Sequence, residues 1–141
     1  MSKMEIAKPL PHITPVTRPF WGAAAQQEFV MQRCRDCLAY VWTPRPACFE
    51  CGSDRLDWLP LSGRGRIYSF TIIRQVAGRG SSAAFEKEIP YTVAWIDLDE
   101  GPRLLSNVIG CPVDDVKIGM EVNVAFEQVS SEIWLPKFKP A

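Results

Sequence analysis

Apolar and polar positions alternate with a period of two through most of the chain beyond residue 60. Val122, Val124 and Phe126 alternate with Asn123, Ala125 and Glu127, which predicts a strand over 121–129 with one face turned inward. In 91–98, Tyr91, Val93 and Trp95 share one face and Thr92, Ala94 and Ile96 the other. Both faces are fairly apolar, as a central or closed sheet requires. Branched and aromatic residues predict further strands at 67–74, 103–109 and 133–135, set off by turns at Gly63-Arg64-Gly65 and Asp99-Glu100-Gly101-Pro102. Nothing between them has the length and period of a long helix. The pattern therefore predicts five short antiparallel strands closed into a small barrel.

The first sixty residues read differently. Pro9, Pro11 and Pro15 make residues 1–16 an irregular arm. Thr17 is placed to cap a helix, Pro19 suits its first turn, and no breaker follows Gly22 up to Phe29. Phe20, Ala24 and, further round, Trp21 and Ala25 form an apolar stripe for the chain's own core or for a partner. Short strands follow at 40–42 and 55–59. The division expected is an arm and helix over 1–28, a small module over 29–59 and the barrel over 60–141. An OB-fold has the right number of strands, although alternation alone does not choose its topology.

The small module carries the clearest chemistry. Cys34-Arg35-Asp36-Cys37 and Cys48-Phe49-Glu50-Cys51 are two knuckles, and each brings two thiolates round towards one ion. Together they make a closed tetrahedral shell, with Pro44, Pro46 and Gly52 supplying the turns. The alternative is two disulfides or four unrelated thiols, which the regular spacing disfavours. Zinc suits such a site; iron in a rubredoxin-like centre is the other ion the ligands accept. A closed shell leaves no position for substrate, so the metal's expected role is structural. A module this small needs the ion to hold its shape.

Composition narrows the functions. Over 141 residues, 47% are hydrophobic, enough for a true core. Lys+Arg and Asp+Glu each number 16, a balance that argues against a general nucleic-acid binder. No apolar run reaches the length of a membrane span or the form of a signal peptide, and thiols read as metal ligands suit a reducing cytoplasm. The single histidine, His12, lies in the arm, and no Gly-x-Ser-x-Gly elbow or dinucleotide loop is present. Scattered carboxylates read as solvated turn residues, and Cys111 as a small buried apolar residue. The expectation is a binding or accessory protein, with any catalytic residues on a partner. The connection from Gln75 to Pro90 is long enough to be a binding or partner-contact loop.

These motifs resemble the DUF35 family. The matching pieces are Pro19-Phe20-Trp21, Gln32-Arg33-Cys34-x-x-Cys37, Pro44-Arg45-Pro46-x-Cys48-x-x-Cys51, Ser62-Gly63-x-Gly65-x-Ile67-Tyr68-Ser69-Phe70-Thr71, Pro90-Tyr91, Glu100-Gly101-Pro102-Arg103 and Ile118-Gly119-Met120. The resemblance implies a mainly β protein: an N-terminal helical arm, a rubredoxin-like zinc ribbon and a five-stranded OB-fold barrel. It implies an accessory role beside a thiolase-like protein of the lipid-transfer type, or a hydratase or aldolase, in a homo- or hetero-oligomer handling acyl-CoA. If the chain itself holds the CoA, cations and an aromatic wall are needed. Arg64, Arg66, Arg74, Arg79 and Lys87 are the candidate cations, and Tyr68, Phe70, Phe85 and Tyr91 the wall. Phe20, Trp21 and Arg33 are the candidates for partner contact. Two other readings stand beside this one: a single-stranded nucleic-acid binder using the arginines, and a stand-alone enzyme or electron carrier using the metal, the carrier requiring iron.

Overall fold

In a computed structural model, residues 7–78 and 80–141 are described, which leaves Arg79 outside. The order of elements is α1 (Arg18–Ala25), β1 (Val30–Cys34), β2 (Tyr40–Val41), β3 (Leu56–Pro60), β4 (Arg64–Ile73), β5 (Tyr91–Leu98), β6 (Arg103–Val108), β7 (Glu121–Gln128) and β8 (Trp134–Pro140). Strands β2-β1-β3 form a small antiparallel sheet, and β4-β5-β6-β8-β7 close into a barrel.

The barrel order is that of an OB-fold, and it corrects the all-antiparallel expectation at one place. β6 meets β8 in parallel, at the single pair Val108↔Phe138, while the other four joins are antiparallel. On β5 the inward face is Thr92, Ala94, Ile96 and Leu98; Trp95 faces out. Strand β8 extends well past the expected 133–135. Pro136 lacks an N–H, but lies before the point where β8 meets β6.

Two glycines explain the start of β4. Gly63 has φ +76° and a side chain there would run into Val124, while a Cβ on Gly65 would lie 2.6 Å from the Asp97 carbonyl. Ser62 donates from its backbone N–H and its hydroxyl to the Glu100 carboxylate (2.9 and 3.2 Å). Arg103 pairs with Asp97 and lies 3.4 Å from the centre of the Tyr68 ring. The Ser-Gly-x-Gly and Glu-Gly-Pro-Arg segments are thus two sides of one clasp.

Helix α1 departs from expectation at both ends. Thr17 does not cap it with its side chain; its hydroxyl accepts from the Thr14 N–H (2.9 Å). The helix stops at Ala25 rather than running on to Phe29. Gln27 takes φ +63°, Gln27 N–H donates to Ala24 O and Glu28 N–H to Ala23 O, a Schellman termination with glutamine where glycine is usual. The chain then turns Phe29 into the core. Phe20 packs edge-on to Trp42 (5.2 Å) and Phe29 (6.5 Å), and Phe29 onto Phe126 (6.4 Å) and Phe138 (6.3 Å). Helix, ribbon root and barrel share one core, each buried aromatic ring contributing about 1.5–3 kcal/mol. Beyond that root the ribbon tip has its own minute core of Cys34, Val41 and Cys48.

Candidate functional site

The two knuckles are built alike. In the first, Cys34 N–H donates to Ala39 O and Leu38 N–H to Cys34 O; in the second, Cys48 N–H donates to Ser53 O and Gly52 N–H to Cys48 O. Each turn closes on a residue in the left-handed region, Leu38 (φ +65°) and Gly52 (φ +78°). Glycine takes that conformation freely and leucine does not. The turns project Cys34 and Cys37 towards Cys48 and Cys51 with all four Sγ atoms within 4.8 Å of one another. Cys34–Cys51 and Cys37–Cys48 lie 3.6 Å apart. A tetrahedral zinc with Zn–S bonds of about 2.3 Å has sulfur–sulfur edges of about 3.8 Å, so the cage fits the ion. Cys34 and Cys48 are buried; Cys37 and Cys51 face outwards.

Electrostatics favour a cation at the centre. The Cys37 N–H above all pulls the Cys34 thiol down to about 7. Cys37 is pushed up to about 12: the Ala39 N–H favours its thiolate, but partial desolvation at the sulfur and the neighbouring thiols outweigh it. Cys51 is also raised: the Ser53 N–H favours its thiolate, but the Cys34 thiol and partial desolvation at the sulfur outweigh it. Cys34 ionises easily, while Cys37 and Cys51 resist unless a divalent ion balances the charge. Bound there, zinc would take all its ligands from these four residues and supply rigidity, with no open position for substrate.

Polar side chains tie the knuckles to the sheet. Arg35 makes a two-pronged pair with Asp57 on β3 (2.7 Å each) and holds its carboxyl below the usual range. Asp36 accepts from Ser53 Oγ and from Arg55 (3.1 Å), joining one knuckle to the other. Gln32, 5% exposed, uses both ends of its amide on the Arg45 backbone (2.9 and 2.8 Å) and fixes the loop between the knuckles. Sequence reasoning named Gln32 within a motif but gave it no role; a polar residue beside apolar Val30 and Met31 was the available signal. Arg33 donates to Leu38 O and lies over the Tyr40 ring, and so supports the first knuckle.

The remaining candidates are dispersed. Arg64 and Arg66 face Asp99 (3.4 Å) and Glu121 (2.6 Å) along a cleft of about 190 Å³. Arg74 faces Asp114 (3.7 Å). Tyr68 is on the outer surface under Arg103, and Phe70 packs on the barrel core. Phe85 stands against Tyr91 (6.3 Å) in a separate cavity of about 610 Å³. Lys87 lies near the end of a 3-10 segment, Gly80–Glu88, that gives structure to the connection expected to be a plain loop. Phe20 is buried, whereas Trp21 is half-buried and lines a third cavity of about 420 Å³ with Trp42 and Leu105. Cys111 is half-buried and burial raises its thiol. Among the described residues no helix is long and apolar enough to cross a membrane.

Fold and site together define a zinc-ribbon protein with an OB-fold barrel. Residues 21–57 match the family described as "ChsH2, rubredoxin-like zinc ribbon domain" and residues 58–127 match "ChsH2, C-terminal OB-fold domain". A "Probable enoyl-CoA hydratase alpha subunit" of Thermomonospora curvata is 36% identical over 139 residues; the match covers 99% of this chain and 42% of that protein. A "DUF35 domain-containing scaffold protein" of Methanocaldococcus jannaschii is 32% identical, with 71% of this chain and 68% of that protein covered. The solved "Ltp2-ChsH2(DUF35) aldolase" contains a chain similar at 34% identity and a TM-score of 0.78, covering 93% of this chain and 98% of that one. The chain belongs to the DUF35 family.

Proposed function

We propose that this chain is a non-catalytic accessory subunit that carries a partner enzyme of acyl-CoA metabolism, either thiolase-like or a hydratase or aldolase. The observation that carries the reading is the closed four-cysteine shell: the chain's most developed site is built for rigidity, with no open position for a reactant. The names of the relatives support it, since they are a hydratase subunit, a scaffold protein and the DUF35 component of an aldolase. The outer barrel face supports it as well. Trp95 and Leu105 are paired across β5 and β6 and stay 45% and 53% exposed, with Tyr68 and Arg103 on the same sheet. Trp, Tyr and Arg are the residues that anchor protein interfaces.

Capture of the tagged chain from its native cells, with mass spectrometry of what co-purifies, tests this. A stoichiometric acyl-CoA enzyme is expected, and Trp95→Ala should weaken its retention at least about tenfold while the melting temperature stays within a few degrees. Recovery of nucleic acid alone, or of iron with no partner, would replace the reading with one of its rivals.

A further inference from the structure

The largest of the three cavities described above is not part of the metal site. It is lined by the start of β5, the ends of β6 and β7 and the first half of β8, and these strand ends together form one mouth of the barrel. The arm (Ala7 to Leu10) and the 3-10 segment (Phe85, Glu88) complete its rim. Its volume of about 610 Å³ is that of a small-molecule site.

The lining restricts what can enter. Its charged residues are Lys8, Glu88, Glu127 and Lys137, and they cancel in two pairs, Lys8–Glu88 (2.6 Å) and Lys137–Glu127 (3.0 Å). Among the described lining residues no unbalanced charge is left to bind a phosphate or an ammonium group. The rest of the wall is mainly aliphatic and aromatic. Thr92 belongs to this wall, is 1% exposed, and its Oγ1 is the one buried side-chain polar atom without a partner among the described residues. Buried hydroxyls nearly always have a partner, so this one is available to a ligand oxygen.

We propose that the barrel mouth binds an uncharged, compact apolar molecule carrying one carbonyl or hydroxyl, its body against Phe85, Tyr91, Val108 and Val113 and its oxygen bonded to Thr92. The proposal concerns the isolated chain and does not depend on the accessory-subunit reading.

The probe is 6-propionyl-2-dimethylaminonaphthalene, a neutral naphthyl ketone whose emission moves to the blue in apolar surroundings, titrated into the full metal-loaded chain. Saturable binding of one probe per chain is expected. Thr92→Val, which keeps the shape and removes the hydroxyl, should weaken the ketone about fivefold and leave binding of 2-ethylnaphthalene, which has no carbonyl, unchanged. Val113→Trp should block both compounds. Non-saturable emission, or unaltered ketone affinity in Thr92→Val, overturns the proposal. So does full binding by a Val113→Trp protein that melts as the wild type does.

Discussion

At the scale of single residues, two turns among the described residues hold a non-glycine residue in the left-handed region. Gln27 and Leu38 both hold a left-handed backbone, and both are exposed, so their side chains add little packing in return. Gln27→Gly and Leu38→Gly should each stabilise the protein, by about 0.5–1 kcal/mol, read as a rise in melting temperature of the metal-loaded form. Charge is legible at the same scale. Arg35 depresses the Asp57 carboxyl, so their pairing contributes above the ordinary carboxylate value and is lost as pH falls through the depressed one. Denaturant titrations of wild type and Arg35→Ala should therefore differ at pH 6–7, with the difference small because both side chains are exposed, and converge at strongly acidic pH. The sequence announced neither feature: a Schellman turn without glycine leaves no compositional mark, and the arginine and aspartate lie 22 positions apart.

At the scale of elements, the ribbon tip and the barrel should differ in what holds them. The tip's own core is Cys34, Val41 and Cys48, while the root of β1 is embedded in the shared core through Phe29, Val30 and Met31. Chelation of the metal should remove hydrogen-exchange protection from residues 34–53 and leave β4 to β8 protected. Loss of protection throughout would show that the barrel also needs the ion. The barrel's own weak point is the crowded start of β4. Gly65→Ala should cost about 1–3 kcal/mol in urea unfolding, since the added methyl meets the β5 backbone. Strand β5 was legible at both ends because its period of two is unbroken. β8 was not, since Pro136 interrupts the pattern and the parallel join to β6 involves residues thirty apart in sequence.

At the scale of the whole molecule, the metal centre was readable because its ligands come as two local pairs, whereas the candidate CoA contacts rest on closeness along the chain alone. Arg64, Arg74, Tyr68 and Phe85 are close along the chain, yet a closed barrel turns successive residues to opposite faces and sends strand ends to opposite rims. Arg64 lines one cleft and Phe85 a different cavity, Tyr68 is on the outer face, and Arg64 and Arg74 already face carboxylates. The buried hydroxyl of Thr92 was hidden for a similar reason: in sequence it is one more alternating residue of β5, and only closure of the barrel leaves it unpaired. What the assembled molecule offers is a ribbon and barrel on one shared core, a four-cysteine tip that fits a metal ion, and an exposed aromatic face. That arrangement suits a protein whose work is done through another.

The most direct test is the acyl-CoA turnover of the captured partner, measured alone, with one equivalent of this chain, and for the chain by itself. The account predicts no turnover by the chain, weak or unstable activity of the partner alone, and full activity when the two are combined. Turnover by the isolated chain, or a partner indifferent to its presence, would contradict it.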